Sequence, residues 1–186
     1  VEKIEDIMRT LNRLKKITKS LLLISRIENE QYIRSDEANV HTLLNEVEEE
    51  LSHRLEQKNL KWTCDVDKSV VLKNVNKELL FHLFFNLINN AIKYNKQNGS
   101  IEITDELTPQ KQYAIFIKDT GIGIPENQLP YIFDRFKKTA TSGEDSNGLG
   151  LSIVWSIAQY HHAGVQVSSQ ASDGSVFKII FFKEHL

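Results

Sequence analysis

The residues of this chain that are best suited to ligand chemistry recur along one stretch, residues 77–94. A wide apolar arc predicts a buried helix there, yet polar side chains form one stripe at helical spacing, namely His82, Asn86, Asn90 and Lys93. A buried polar group without a partner costs about 1–3 kcal/mol. The stripe therefore indicates either a ligand pocket or a face exposed to solvent. Asparagine oxygens suit a hard cation such as Mg²⁺, and a lysine suits phosphate.

Two glycine-containing motifs follow this stretch. The first, at residues 119–125, begins where a predicted apolar strand ends, so the Asp119 carboxylate could accept a hydrogen bond from the amine of a bound base. Gly121 and Gly123 permit a tight turn and a close approach of the backbone to a ligand. The second motif, at residues 148–151, opens a predicted helix whose free N–H groups form a ready phosphate site. Taken alone, a plain turn explains the first motif and a tight helix entry explains the second.

The segment between the two glycine motifs is long and polar. Residues 137–147 include one glycine and follow two aromatic residues, Phe133 and Phe136. This pattern predicts a lid over a ligand with an aromatic anchor. The alternative is a disordered surface loop that follows two core phenylalanines.

Periodicity and turn signals predict the elements that must position these motifs. Residues 1–29 predict a long helix with a heptad seam that needs a partner helix, although a helix packed on its own domain is the alternative. A short strand is expected within residues 28–39, and Asn39 is expected to cap the next helix. The remaining predicted elements are helices at 40–59, 77–94 and 149–161, a short helix around 128–133, and hairpins pairing 60–66 with 70–73, 100–107 with 113–119 and 165–170 with 175–182.

This order of elements predicts an α+β fold. We expect a two-layer sandwich in which three helices cover a mixed sheet, preceded by one long N-terminal helix.

Composition places the chain among ordinary globular proteins, since 40% of its 186 residues are hydrophobic and 26% are charged. The formal net charge of -2 gives no basic surface field, so nucleic acid is not an expected partner. The single cysteine, Cys64, excludes an intramolecular disulfide and fits a reducing, cytoplasmic compartment. No signal peptide or membrane span is visible in the sequence. Because Val1 is not an initiator residue, we expect a longer parent protein, whose membrane anchoring the sequence leaves open.

The order and spacing of the motifs resemble the catalytic domain of sensor histidine kinases, in the GHKL ATP-binding superfamily. The matching segments are residues 86–94 for the N box, 119–123 for the first glycine box, 133–136 for the F box and 148–151 for the second glycine box. Residues 21–28 are similar to the end of the second helix of the family's dimerization hairpin. The resemblance implies an incomplete phosphoacceptor hairpin at residues 1–30 and an ATP-binding catalytic domain of the GHKL fold at residues 31–186.

The resemblance also implies ATP and Mg²⁺ as cofactors and a role for each matched residue. Asn90 and Asn86 would hold Mg²⁺, Lys93 would contact phosphate, and Tyr94 would flank the nucleotide. The other implied nucleotide-binding residues are Asp119 at the adenine amine, Gly121 and Gly123 in the wall beside it, Gly148 and Gly150 around the phosphates, Lys138 near the phosphates, and Ile124, Phe136, Leu149 and Leu151 within the same motifs.

The sequence departs from the family pattern at two places. Ser146 stands where the second glycine box usually begins with a further glycine, and the usual His-Gly-Gly after the third helix is loosened to residues 161–164. Asn86 stands where the ATPases of the superfamily have a glutamate that activates water. Because an amide cannot take a proton from water at neutral pH, the motif resembles the kinases, which transfer phosphate to a separate histidine.

None of the six histidines has the sequence setting of the family's phosphoacceptor, so we assign no catalytic residue. His161 and His162 are predicted to cap a helix C-terminus, where they would favour the helix dipole. The expected function is that of an ATP-dependent histidine kinase that phosphorylates a hairpin histidine absent from this chain. Its expected partners are that hairpin helix, a second subunit in a homodimer, and the receiver domain of a response regulator. The alternatives are a degenerate nucleotide-binding module, which Ser146 supports, and a superfamily ATPase, which would need a general base.

Overall fold

The computed structural model describes residues 2–137 and 147–186, so Lys138 and Ser146 lie outside the described residues. The elements in chain order are α1 (Glu2–Glu28), β1 (Asp36–Asn39), α2 (Val40–Gln57), β2 (Lys61–Asp65), β3 (Val71–Val75), α3 (Lys77–Lys93), β4 (Ser100–Leu107), β5 (Tyr113–Asp119), α4 (Gly150–Tyr160), β6 (Gly164–Ser169) and β7 (Ser175–Phe181). Two 3₁₀ turns lie at Glu126–Tyr131 and Lys183–His185, and the first corresponds to the short helix predicted around residues 128–133.

The main sheet has five strands in the order β2-β4-β5-β7-β6. The pair β2 and β4 is parallel, whereas the other neighbours are antiparallel, so the sheet is mixed as predicted. The two predicted hairpins β4–β5 and β6–β7 are confirmed. In this register Asp119 ends the central strand β5, opposite Ile101 of β4 and Ser175 of β7.

The hairpin predicted between residues 60–66 and 70–73 is wrong. β2 pairs with β4, and β3 instead forms a separate two-stranded sheet with β1, in which Ala38 lies opposite Leu72. After β2 the chain turns away, and the Asp105 carboxylate on β4 accepts the Asp67 N–H over 2.9 Å. Leu72 is fully buried in the core, so burial rather than closeness in sequence decides the partner of β3.

Helices α2, α3 and α4 form the second layer, with α3 in contact with α2, α4 and β5. Asn39 caps α2 as predicted, since its side chain accepts the Thr42 N–H over 2.9 Å. Asn76 caps α3 in the same way, by accepting the Leu79 N–H over 3.0 Å. Helix α3 buries eight apolar residues, which are Leu79, Leu80, Leu83, Phe84, Leu87, Ile88, Ala91 and Ile92. It is therefore the central element of the core.

Helix α1 joins this core only at its C-terminal end. Ile24 and Ile27 are buried in the core cluster, and α1 contacts α4. The apolar side chains nearer its start are exposed, for example Ile4 at 67% and Leu14 at 59%. The seam predicted to need a partner helix is thus uncovered here, and the division at residue 30 stays a prediction. Among the described residues, no helix has both the length and the apolar character needed to span a membrane.

His161 corrects the predicted role of a histidine at the end of α4. It occupies the C-cap of α4 but is fully buried, its Nδ1 lies 2.9 Å from the Ile157 carbonyl oxygen, and its Nε2 accepts the Asn76 N–H over 3.0 Å. These partners require a neutral ring that donates from Nδ1. Burial lowers the pKa of His161 to about 4, so the ring carries no charge for the helix dipole at neutral pH.

We predict that acid destabilises the fold through His161. A folded-state pKa of about 4 lies below the usual value of 6.5, so this histidine's contribution is full above pH 6.5 and falls as the pH drops towards 4. The loss from this one group should approach about 3 kcal/mol. Urea unfolding of the wild type and of His161→Gln at pH 7 and pH 4.5 measures it.

The His161→Gln variant should be less stable at pH 7 but lose less stability on acidification than the wild type. His162→Gln is the matched control, because His162 is exposed and follows directly in the sequence. Equal losses in the His161→Gln variant and the wild type would contradict the prediction.

Candidate functional site

The polar stripe on α3 lies at the junction with the start of α4. Asn86 and Asn90 are half-buried, and the Asn86 Nδ2 donates to the His82 carbonyl oxygen over 2.7 Å, which leaves its Oδ1 available. A Cβ placed on Gly150 would lie 3.2 Å from the Asn86 Oδ1 and 3.8 Å from the Asn90 Oδ1. Gly150 therefore allows the first turn of α4 to approach both amides. The stripe forms one side of a junction between two helices, not a freely exposed face.

The imidazole one turn before Asn86 belongs to the same stripe. His82 is half-buried, and burial lowers the pKa of its ring, against the weaker opposing effect of Glu78. The neutral ring is therefore favoured at neutral pH, so His82 places no permanent positive charge beside the Asn86 and Asn90 amides.

Within the part of the chain that the structure describes, no side chain caps the N-terminus of α4. Leu149 occupies the N-cap position and provides no side-chain hydrogen bond, whereas α2 and α3 are both capped by asparagine. The first N–H groups of a helix have no intrahelical partner and lie at the positive end of its dipole. The Leu149 side chain is buried, and Leu151 packs against the core. At position 149 only the backbone is left to face a ligand.

Asp119 lies at the end of β5, as the sequence predicts, and is only 7% exposed. Its Oδ1 accepts the Gly121 N–H over 2.8 Å. Burial raises the pKa of the Asp119 carboxyl above its ordinary value, while backbone hydrogen bonds from Gly121 and Ser175 oppose the rise. A buried carboxylate with fixed orientation is suited to accept a hydrogen bond from a ligand amine.

The first glycine motif packs directly on the end of α3. The Ile122 N–H donates to the Tyr94 carbonyl oxygen over 3.0 Å, and a Cβ on Gly121 would lie 2.4 Å from that same oxygen. Only glycine permits this close approach. Tyr94 also lies beside Lys93, whose Nζ is 5.5 Å from the centre of the Tyr94 ring.

Gly123 and Ile124 face the turn between β6 and β7. A Cβ on Gly123 would lie 2.0 Å from the Gln170 carbonyl oxygen, and the Ile124 N–H donates to the Ser169 Oγ over 2.8 Å. Packing of the loop on this turn therefore accounts for the absence of a side chain at Gly123.

The F box and the second glycine motif meet at their backbones. The Phe136 N–H donates to the Gly148 carbonyl oxygen over 2.8 Å, and Gly148 has a φ of +64°. Phe133 packs against Trp155 with the ring centres 5.3 Å apart, whereas Phe136 is 56% exposed. The alternative of two core phenylalanines is therefore wrong for Phe136. The predicted lid lies mostly outside the described residues.

Sequence reasoning missed a buried network behind the first glycine motif. Asn95 is 7% exposed, and its Nδ2 donates to the Ser100 carbonyl oxygen over 3.1 Å. The Thr120 Oγ1 donates to the Asn95 Oδ1 over 3.2 Å and accepts the Ser100 N–H over 2.8 Å. The signal that the sequence offered for Asn95 was its position directly after α3, the helix with the polar stripe. For Lys58, which bonds the end of the same helix, the local sequence offered none.

With this geometry in place, comparison with known proteins identifies the family. Residues 75–185 match the family described as histidine kinase-, DNA gyrase B-, and HSP90-like ATPase. The chain belongs to this ATPase family.

Curated proteins that are similar to this chain include a heme sensor protein and a signal transduction histidine-protein kinase. The heme sensor protein HssS of Staphylococcus saprophyticus is 32% identical over 97% of this chain. The signal transduction histidine-protein kinase ArlS of Staphylococcus aureus is 35% identical over 92% of this chain. The chain spans 38% of the length of each of these two relatives.

Solved structures of histidine kinases share the fold of this chain. The Acinetobacter baumannii histidine kinase AdeS aligns with a TM-score of 0.76 at 24% identity, over 96% of this chain and 83% of that chain. The histidine kinase ThkA in complex with the response regulator protein TrrA aligns with a TM-score of 0.74 at 24% identity, over 97% of this chain and 50% of that chain. The predicted α+β fold with its N-terminal helix is confirmed.

We predict that Gly121→Ala destabilises the protein by about 1–3 kcal/mol, because the added Cβ would overlap backbone that cannot move aside. The Tyr94 carbonyl oxygen would lie 2.4 Å from the new atom. Urea unfolding measures the loss. Gly164→Ala is the matched control, since its Cβ would meet the Ile180 side chain at 3.4 Å, an ordinary contact distance. Similar stability of the two variants would contradict the predicted overlap at Gly121.

Proposed function

We propose that this chain provides the ATP-binding and catalytic part of a protein-histidine kinase. In this proposal it transfers the γ-phosphoryl group of Mg·ATP to a histidine that lies outside the chain. The observation that carries the proposal is the junction of α3 and α4, where two asparagine amides face the helix N-terminus at Gly150 and the N-cap residue Leu149 provides no side-chain hydrogen bond. Membership of the ATPase family supports it.

The nucleotide would lie along this junction and reach the end of β5. Asp119 would accept a hydrogen bond from the adenine amine, since its buried carboxylate is oriented by the Gly121 N–H. The phosphates would lie at the start of α4, where the helix N-terminus favours negative charge. Lys93, on the last turn of α3, would add a cation near them.

The residues at the junction fit a magnesium ion. The Asn86 Nδ2 is engaged with the His82 carbonyl, so the Oδ1 is the end of that amide directed at Gly150, and the Asn90 amide also borders Gly150. Neutral amide oxygens suit a hard cation that keeps several waters and phosphate ligands. When bound, Mg²⁺ would neutralise phosphate charge, and the two asparagines would hold it.

Phosphoryl transfer fits these residues better than hydrolysis. An amide at position 86 can orient a ligand but cannot remove a proton from water. Transfer to a histidine needs mainly positioning and charge neutralisation, which the junction and α4 can supply. The alternative of a degenerate binding module rested on Ser146, which lies outside the described residues.

Two further observations support the proposed protein partners. The exposed apolar seam of α1 supports pairing with the missing acceptor helix and with a second subunit. The structurally similar kinase ThkA is recorded in complex with a response regulator, which supports a receiver domain as the phosphate acceptor of the next step. A cytoplasmic location and the absence of nucleic acid partners remain part of the proposal.

We predict that Mg·ATP raises the melting temperature of this chain. At one hundred times the dissociation constant, a ligand adds about 2.7 kcal/mol, which corresponds to a shift on the order of 5–10 °C. The shift should require Mg²⁺ and disappear in Asn90→Ala. Asn89→Ala is the matched control, because the neighbouring Asn89 side chain is held by Arg54 instead of facing Gly150.

Transfer itself is tested with radiolabelled ATP and the acceptor hairpin of the parent protein. Label should appear on the added hairpin and not on this chain. No thermal shift at millimolar nucleotide, or label on a histidine of this chain, would contradict the proposed roles.

A further inference from the structure

A lysine outside the four motifs bonds the end of α3. Lys58 directly follows α2, and its Nζ donates to three backbone carbonyl oxygens, over 2.9 Å to Ile92, 2.7 Å to Lys93 and 3.0 Å to Asn95. An ammonium group has three N–H donors, so these three acceptors use all of them. The last carbonyls of a helix lack intrahelical partners and lie at its negative end, where a cation is favourable.

The surroundings of Lys58 fit an ammonium group in particular. The side chain is half-buried, and burial lowers the pKa of its amine. Three carbonyl oxygens converge on one nitrogen atom, which an ammonium with three N–H donors can satisfy, whereas no single guanidinium nitrogen has more than two. The contact therefore depends on one chemical group, not on positive charge alone.

The three bonds determine where the intervening residue points. Tyr94 lies between Lys93 and Asn95, whose carbonyls face Lys58, while its own carbonyl accepts the Ile122 N–H over 3.0 Å. This bond attaches the first glycine motif to the end of α3. Lys58 thus acts on the motif through the peptide groups on either side of Tyr94.

We propose that Lys58 is a positioning residue for the nucleotide site. It holds the end of α3 so that the Tyr94 carbonyl fixes the loop that follows Asp119. The nucleotide part of this inference rests on the proposed function, whereas its structural part concerns the nucleotide-free chain.

The structural part is tested by hydrogen exchange at the Ile122 amide, which is bonded to the Tyr94 carbonyl. Lys58→Met retains the side-chain stem and removes the ammonium. We expect exchange at Ile122 to accelerate at least about tenfold, because bonds to charged groups contribute a factor of this order or more. Unchanged exchange at Ile122 would overturn the proposal, whether or not the protein binds nucleotide.

Two control variants separate positioning from other effects. Lys61→Met removes an exposed lysine three residues further along and tests the loss of charge. Val47→Ala opens a cavity at a fully buried position of α2 and tests general destabilisation. Both variants should leave the exchange rate at Ile122 within about twofold of the wild-type rate, which is the small coupling expected between independent sites. Equal acceleration in Val47→Ala would overturn the proposal.

The nucleotide part is tested by the dissociation constant of a fluorescent ATP analogue, measured well below the melting temperature of each variant. Lys58→Met should raise it about tenfold, with both controls within twofold. If the wild type fails to bind, the proposed function fails while the exchange result still decides the role of Lys58. If Lys58→Met binds the analogue like the wild type, the positioning role of Lys58 is overturned.

Chemical rescue tests the requirement for an ammonium. In a Cys64→Ala background, Lys58→Cys can be alkylated with 2-bromoethylamine, since no other cysteine is present. The resulting side chain has the length of lysine and ends in an amine, so exchange at Ile122 should return to the wild-type rate. Lys58→Arg should fail to restore it. Rescue by arginine alone would overturn the assignment to the three converging carbonyls.

Discussion

Helix α3 has to be the centre of the core and one wall of the site at the same time. Eight apolar side chains bury it against α2, α4 and the sheet, and the remaining edge carries Asn86 and Asn90. A helix fixed on so many sides cannot rotate, because rotation would expose apolar surface and bury amides without partners. The core therefore determines the direction of the polar edge, and the glycine at position 150 lets α4 pack close to it.

The end of α3 extends this constraint to the loops. The backbone carbonyls at and just after its end have two kinds of partner. Lys58 donates to the carbonyl oxygens of Ile92, Lys93 and Asn95, and the glycine loop after β5 donates to the carbonyl oxygen of Tyr94. These bonds provide partners for backbone carbonyls at the end of α3, where the Ile92 carbonyl oxygen also accepts the Asn95 N–H over 3.2 Å. Satisfying them joins α2, α3 and the loop after Asp119 into one unit. The histidine at the end of α4 does the same at the opposite end of α3, as a neutral acceptor for the Asn76 N–H.

Sequence reasoning succeeded where a signal is local or repeats along one element. The bounds of α3, β4 and β5 follow from periodicity, and the Asn39 cap follows from its chemistry. It failed where two distant segments compete for the same partner. β2 and β3 look like a hairpin in sequence. In the structure β2 pairs in parallel with β4, and β3, which carries the buried Leu72, pairs with β1. The Lys58 contact was missed because nothing near position 58 shows which carbonyls lie 34 to 37 residues away.

The sequence by itself determined which side chains share one face of a helix, where strands end, and which glycines sit at turns. These features depend on residue spacing and on local conformational preferences, which hold in any fold. Only the tertiary structure decided that Gly150 meets the two asparagines, that Gly121 rests on the Tyr94 carbonyl, and that His161 is neutral. Those outcomes depend on which surfaces are buried together, since burial and hydrogen-bond partners set both the permitted distances and the protonation states.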